Sequence, residues 1–153
     1  MQIKELNKRP DLDPESKLHA AYLQFGGLLD ELKKKALTEE VTRAVNDGID
    51  QINALSTSGG ELKKQIEKTQ STLLKQIEKE LKIVPQNYYR NTWMALGMAA
   101  FGVPLGVAFG VSLGNMAFLA IGLPIGMAIG LAIGAGMDKK AFDEGRQLDL
   151  EIK

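Results

Sequence analysis

From Asn91 to Met137 the chain runs for 47 residues without one charged side chain. All 19 Lys and Arg and all 19 Asp and Glu lie in residues 1–90 and 138–153, where they fill about 36 % of positions against roughly 25 % in an average globular chain. Ordinary soluble surface cannot be built from the first material. The second is too rich in charge to wrap it as a buried core, so the sequence predicts two materials joined end to end, one of them in a bilayer.

Length supports that division. Trp93 to Leu113 is 21 residues, about 31 Å as a helix, and Ala117 to Gly136 is 20 residues, about 30 Å. Each matches one crossing. Gly114, Asn115 and Met116 between them supply a short turn, so the two spans are expected to run antiparallel over about residues 92–137. Before them, across a linker at 85–91, Tyr88, Tyr89, Arg90 and Trp93 form an aromatic and cationic collar of the kind found at membrane interfaces; Lys139 and Lys140 follow the second span. Lys75, Lys79, Lys82, Arg90 and Arg146 add cations on the same flanks, and the turn carries none. Both flanks are therefore expected in the cytosol, with residues 138–153 as a polar cytosolic tail, in the cytoplasmic membrane. Residues 1–12 read as a flexible basic start without the apolar run of a signal peptide.

The spans share an internal repeat. Gly102, Gly106, Gly110 and Gly114 return as Gly122, Gly126, Gly130 and Gly134 at a constant offset of 20; Pro104 returns as Pro124, and Ala100 and Ala108 as Ala120 and Ala128. Glycine at every fourth position cuts a groove that lets a second backbone approach closely. Those steps drift 40° per repeat and favour a right-handed crossing near −40°. The two grooves can face each other within one chain, but stripes of small residues commonly drive association, so they are expected to meet also between copies, giving a homo-oligomer. Pro104 and Pro124 free the carbonyls of Ala100 and Ala120 and predict matched kinks. Over about residues 97–136 the chain resembles the glycine-zipper two-transmembrane-helix family. The resemblance implies a close-packed membrane hairpin, in a class that spans anchors, lipoprotein-attached hairpins and pore formers, and it transfers no catalytic residue.

Residues 13–84 read as a cytosolic helical or coiled-coil region. Asp13, Pro14 and Glu15 predict a helix start with Asp13 as N-cap. Leu18, Tyr22, Phe25, Leu29, Leu32 and Ala36 then follow at alternating spacings of four and three, a heptad seam that asks for a helical partner, either in this chain or in a cytosolic protein. Gly26 and Gly27 within it predict close packing or a bend. A second stripe, Val41, Val45, Gly48, Ile52 and Leu55, either continues the first helix or folds back. Ser58, three before Glu61, suggests a capping box for a third helix starting near residue 59. That helix repeats every eleven residues, at Leu62, Ile66, Leu73, Ile77 and Val84, and serves as a stalk or lies on the lipid surface; Pro85 is expected to end it.

Composition narrows function by exclusion. There is no Cys and a single His, His19, read as a solvated helix residue, which leaves no thiol nucleophile, disulfide framework or Cys/His zinc site. Net charge is zero, giving no electrostatic case for nucleic acid. No ionisable group lies in either span, where Ser112 and Asn115 are the notable polar groups, so a coupled transporter is not expected. Asp11, Asp13 and Glu15 are explained as capping, and Asp47 to Asp50 lacks the rest of a calcium loop. No enzyme and no cofactor are expected. The chain is thus read as all-α, a self-associating membrane anchor for a helical interaction module; the alternative is a pore-forming effector of the toxin or defence type.

Overall fold

The structure, a computed structural model, describes residues 2–56 and 59–152. It is largely helical, with two short strands, β1 (Val84–Gln86) and β2 (Gln147–Glu151), paired in a two-stranded sheet. Contacts divide the chain into two compact units: Met1–Val84 with Leu148–Leu150, and Pro85–Gln147 with Glu151–Lys153.

In the first unit, α1 (Lys17–Lys33) and α2 (Glu39–Ala54) both pack on α3 (Gly60–Leu81). The helix start lies later than Asp13 predicts. Ser16 is the N-cap, its hydroxyl accepting from the His19 N–H at 3.0 Å, while the Asp13 carboxylate accepts from the Glu15 N–H in a turn before the helix. A non-helical segment after Lys33 separates α1 from α2, which starts at a second cap: the Thr38 hydroxyl accepts from the Val41 N–H at 3.3 Å. The proposed Ser58 cap lies outside the described residues, and Gly59 is the N-cap of α3.

Apolar residues of all three helices share one core. Phe25, Leu28 and Leu32 of α1, Val45, Ile49 and Ile52 of α2, and Leu62, Ile66 and Ile77 of α3 are all fully buried. Leu28 lies off the heptad seam and Ala36 is exposed beyond the end of α1, so the buried face is the broader stripe of a globular helix. Phe25, Leu29 and Leu32 are buried inside this core, and Leu18 and Tyr22 are half-buried. The eleven-residue stripe is likewise turned inward, with Leu62, Ile66, Leu73 and Ile77 of α3 buried and Val84, which falls in β1, buried too. Gly48 allows the closest approach of α2 to α3, since a Cβ there would lie 2.6 Å from the Thr69 Cγ2. Gly27 faces the Leu150 side chain at contact distance, whereas Gly26 is open. Ahead of Pro85, α3 stops at Leu81 because Lys82 adopts left-handed geometry (φ 56°), and Pro85 falls in β1.

Glu31 ties the returning strand to α1. Its carboxylate accepts from Lys34 Nζ at 2.5 Å and from the Asp149 N–H at 3.1 Å, and those two hydrogen bonds, the Lys34 one foremost, hold it below the ordinary carboxylate value. A lowered carboxyl stabilises the fold above its unfolded value, about 4.3, and that contribution disappears as pH falls through the folded value. Thermal melts between about pH 3 and pH 7 should therefore show a small acid-side loss that Glu31→Gln reduces, small because the ion pair faces solvent. Identical pH profiles for the two proteins would remove the assignment.

In the second unit, α4 (Tyr88–Gly97), a π-helical turn (Met98–Gly102) and α5 (Val103–Ser112) form one continuous helix. After a turn and a 3₁₀ turn (Met116–Phe118), α6 (Leu119–Asp143) returns. The stretches Tyr88–Ser112 and Met116–Asp143 each contain 18 consecutive residues of high mean hydropathy, 1.9 and 2.2, and are long and apolar enough to cross a membrane. Residues 138–153 are less of a tail than the sequence suggested, because α6 continues through Asp143 and β2 follows it.

Candidate functional site

The feature that sets the second unit apart is the face along which α4 and α5 meet α6. It consists of backbone. Gly97, Gly102, Gly106 and Gly110 are buried on one side, and Gly122, Gly126, Gly130 and Gly134 on the other. A Cβ at Gly106 would lie 2.6 Å from the Leu119 carbonyl oxygen, one at Gly126 2.5 Å from the Gly97 carbonyl oxygen, and one at Gly134 2.5 Å from the Arg90 Cα. Gly122 faces Gly102 and Gly106, and Gly130 faces Trp93 and Gly97. Residue numbers rise along one helix as they fall along the other, so the two run antiparallel. Both stripes are filled by each other within one chain.

Two glycines depart from the sequence pattern. Gly114 is not a packing residue: its φ of +65° places it in the turn, with nothing within 4 Å of where its Cβ would be. There it closes α5 in a Schellman motif, the Gly114 N–H donating to the Val111 carbonyl at 3.3 Å and the Asn115 N–H to the Gly110 carbonyl at 3.0 Å. The Asn115 side chain then accepts from the Ala117 N–H at 2.9 Å and starts the return. Gly97 takes the vacated place in the stripe, although it stands five residues before Gly102 and so breaks the four-residue period.

The π turn explains how. Across Met98–Gly102 the Val103 N–H bonds to the Met98 carbonyl, five residues back, which inserts one residue into the turn and brings Gly97 onto the face of Gly102. Pro104 follows at once; it has no N–H for the Ala100 carbonyl, and its ring crowds that carbonyl. The expected symmetry of the prolines stops there, since Pro124 sits inside an unbroken α6. It is the sixth residue of that helix, where the freed Ala120 carbonyl belongs to the first turn.

At the opposite end from the turn, Asp138 clasps the two helices. Its carboxylate accepts from the Tyr89 N–H at 3.0 Å and the Arg90 N–H at 2.8 Å, so a side chain of α6 caps the start of α4 from across the face. Asp138 is 8 % exposed. The cap residue of α4, Asn87, has left-handed geometry and provides no side-chain cap, which leaves those N–H groups for Asp138. Neither Gly97 nor Asp138 was singled out by the sequence; the available signals were a glycine one residue out of phase ahead of a proline and the first carboxylate after the apolar run.

The collar is divided in the structure. Tyr88 and Trp93 are half-buried, and Arg90, Lys139 and Lys140 are exposed; Tyr89 is buried, its carbonyl oxygen against Gly134 and its ring edge-on to Tyr88 at 5.4 Å. His19, in the first unit, is half-buried, and its Nδ1 lacks a hydrogen-bond partner among the described residues. Among those residues, no group of three His, Cys, Asp or Glu side chains is placed to hold a metal. The glycine face offers close backbone contact and weak Cα–H···O attraction, which is the chemistry of helix association in lipid. Comparison with family models, curated proteins and solved structures finds no match, so the glycine-zipper resemblance rests on the residues of the two apolar helices.

Proposed function

We propose that the protein is a small integral membrane protein in which the two apolar helices form a transmembrane hairpin anchoring the helical unit of residues 1–84. The observation that carries this reading is the outer surface of the pair. Only 22 % and 17 % of the two apolar windows are buried, whereas a soluble core helix of the same hydropathy is mostly buried. Phe101, Val107, Phe109, Val111, Ile121 and Ile125 all point outward with 39–71 % exposure. Lipid is the solvent that such a surface needs, and a helix pair satisfies most of its backbone polar groups internally. The cations at Arg90, Lys139, Lys140 and Arg146 support an orientation with both flanks on the cytosolic side.

Anchor is preferred to pore because the glycine stripes fill one another. An oligomer held through those grooves, and a leak built from it, would need a surface already occupied within the chain. The protein should therefore stay with membranes through a carbonate wash, and its expression should leave the membrane potential unchanged. Release into the soluble fraction would reject the anchor, and depolarisation that grows with expression would favour the pore.

A further inference from the structure

Residues 2–9, ahead of α1, are neither helix nor strand, yet they are held on α2 by a regular set of hydrogen bonds. The Asn46 side chain donates to the Gln2 carbonyl at 3.0 Å and accepts from the Lys4 N–H at 2.7 Å, gripping the main chain on both sides of Ile3. Asn53 repeats the grip around Leu6, donating to the Glu5 carbonyl at 3.2 Å and accepting from the Asn7 N–H at 2.9 Å. Two further groups fix the ends. Arg9 donates to the Ile52 carbonyl at 3.1 Å and to that of Leu55, the C-cap residue of α2, and the Tyr22 hydroxyl donates to the Asn7 carbonyl.

The register is a geometric match. Asn46 and Asn53 are seven residues apart, about 10.5 Å along a helix, while the two gripped residues are three apart, about 10 Å in a nearly extended chain. Ile3, Leu6 and Arg9 are accordingly half-buried, and Gln2, Lys4, Glu5, Asn7 and Lys8 between them are exposed. Asn46 is 3 % exposed, so its amide is a built part of the site. An open groove of about 380 Å³ borders Ile3, Leu32, Leu37 and Thr42, leaving room for a larger side chain than isoleucine.

Asparagine pairs of this kind read main chain, which every peptide carries; sequence enters only through the apolar residue in each grip and the arginine that caps the helix. We infer that the α2 face is a binding site for an extended peptide segment of a partner protein, with apolar residues at its first and fourth positions and arginine at its seventh. Residues 2–9 are the resident occupant of that site and hold it closed until displaced. The inference stands on the first unit alone and is independent of the membrane reading.

The test uses the full chain in detergent micelles and a fluorescent peptide of residues 2–11, followed by anisotropy. Ile3→Asp with Leu6→Asp should loosen the resident segment, and the peptide should then bind at least tenfold more tightly than to the unchanged protein. Adding Asn46→Ala and Asn53→Ala should abolish that binding. Equal binding to the unchanged and loosened proteins, or binding that survives loss of both asparagines, would overturn the inference. Loss of helical circular dichroism in the loosened protein would overturn it too, since the segment would then be part of the fold and not a displaceable occupant.

Discussion

Gly130→Leu should separate α4 from α6 and cost about 3 kcal/mol of stability in micelles, the upper end of overpacking penalties. A Cβ at Gly130 meets the Trp93 carbonyl group and the Gly97 Cα, none of them the end of a flexible side chain, so only movement of a whole helix makes room. Leucine is the better helix former by about 1 kcal/mol, and the net loss is what remains after that gain. Gly136 supplies the control. Nothing lies within 4 Å of its Cβ position, so Gly136→Leu gains helix propensity with no clash and should be neutral or stabilising. Trp93 is the only tryptophan in the chain and its own backbone forms the contact, which makes its emission the direct probe. A shifted Trp93 spectrum and earlier unfolding are expected for Gly130→Leu alone. If the two variants behave alike, the glycine face does not hold the helices together.

Asp138→Ala should cost about 3 kcal/mol and act at a distance along the chain, at the start of α4. Hydrogen bonds to a charged acceptor contribute roughly 1.5–3 kcal/mol each, and this carboxylate accepts two, from Tyr89 and Arg90. Its negative charge also faces the positive end of the helix dipole. Alanine leaves two N–H groups without their acceptor beside a buried Tyr89. Asp138→Asn retains one oxygen and should lose about half as much. The decisive measurement is amide hydrogen exchange, in which protection of Tyr89 and Arg90 should fall while that of residues late in α6 is unchanged. Retained protection at both amides in Asp138→Ala would show that the cap is not what orders the start of α4.

Much of this architecture is carried by composition and period. A charge-free run of 47 residues and the apolar stripes of the first unit depend only on which side chains avoid water, and that preference is local to each residue. The four-residue glycine spacing likewise announces a face able to accept another backbone. What occupies a face is a different kind of question. The seam from Leu18 to Leu32 and the stripe from Leu62 to Val84 have the same pattern whether their partner is in this chain, in another protein or in lipid, and the choice of α1, α2 and α3 for one another follows from chain connectivity and shape.

The same division runs through the second unit. Sequence by itself determined that two apolar helices would exist and that glycine would mark their contact. Only the tertiary structure decided that the stripes close on each other within one chain, that Gly97 replaces Gly114 in the face, and that Asp138 caps a helix starting 50 residues earlier. Each of these depends on residues distant in sequence arriving within a few ångströms, or on a π turn shifting the helical phase by one residue beside Pro104. A periodic reading assumes constant phase and local partners, so it finds the stripes and misses the residues that lock them.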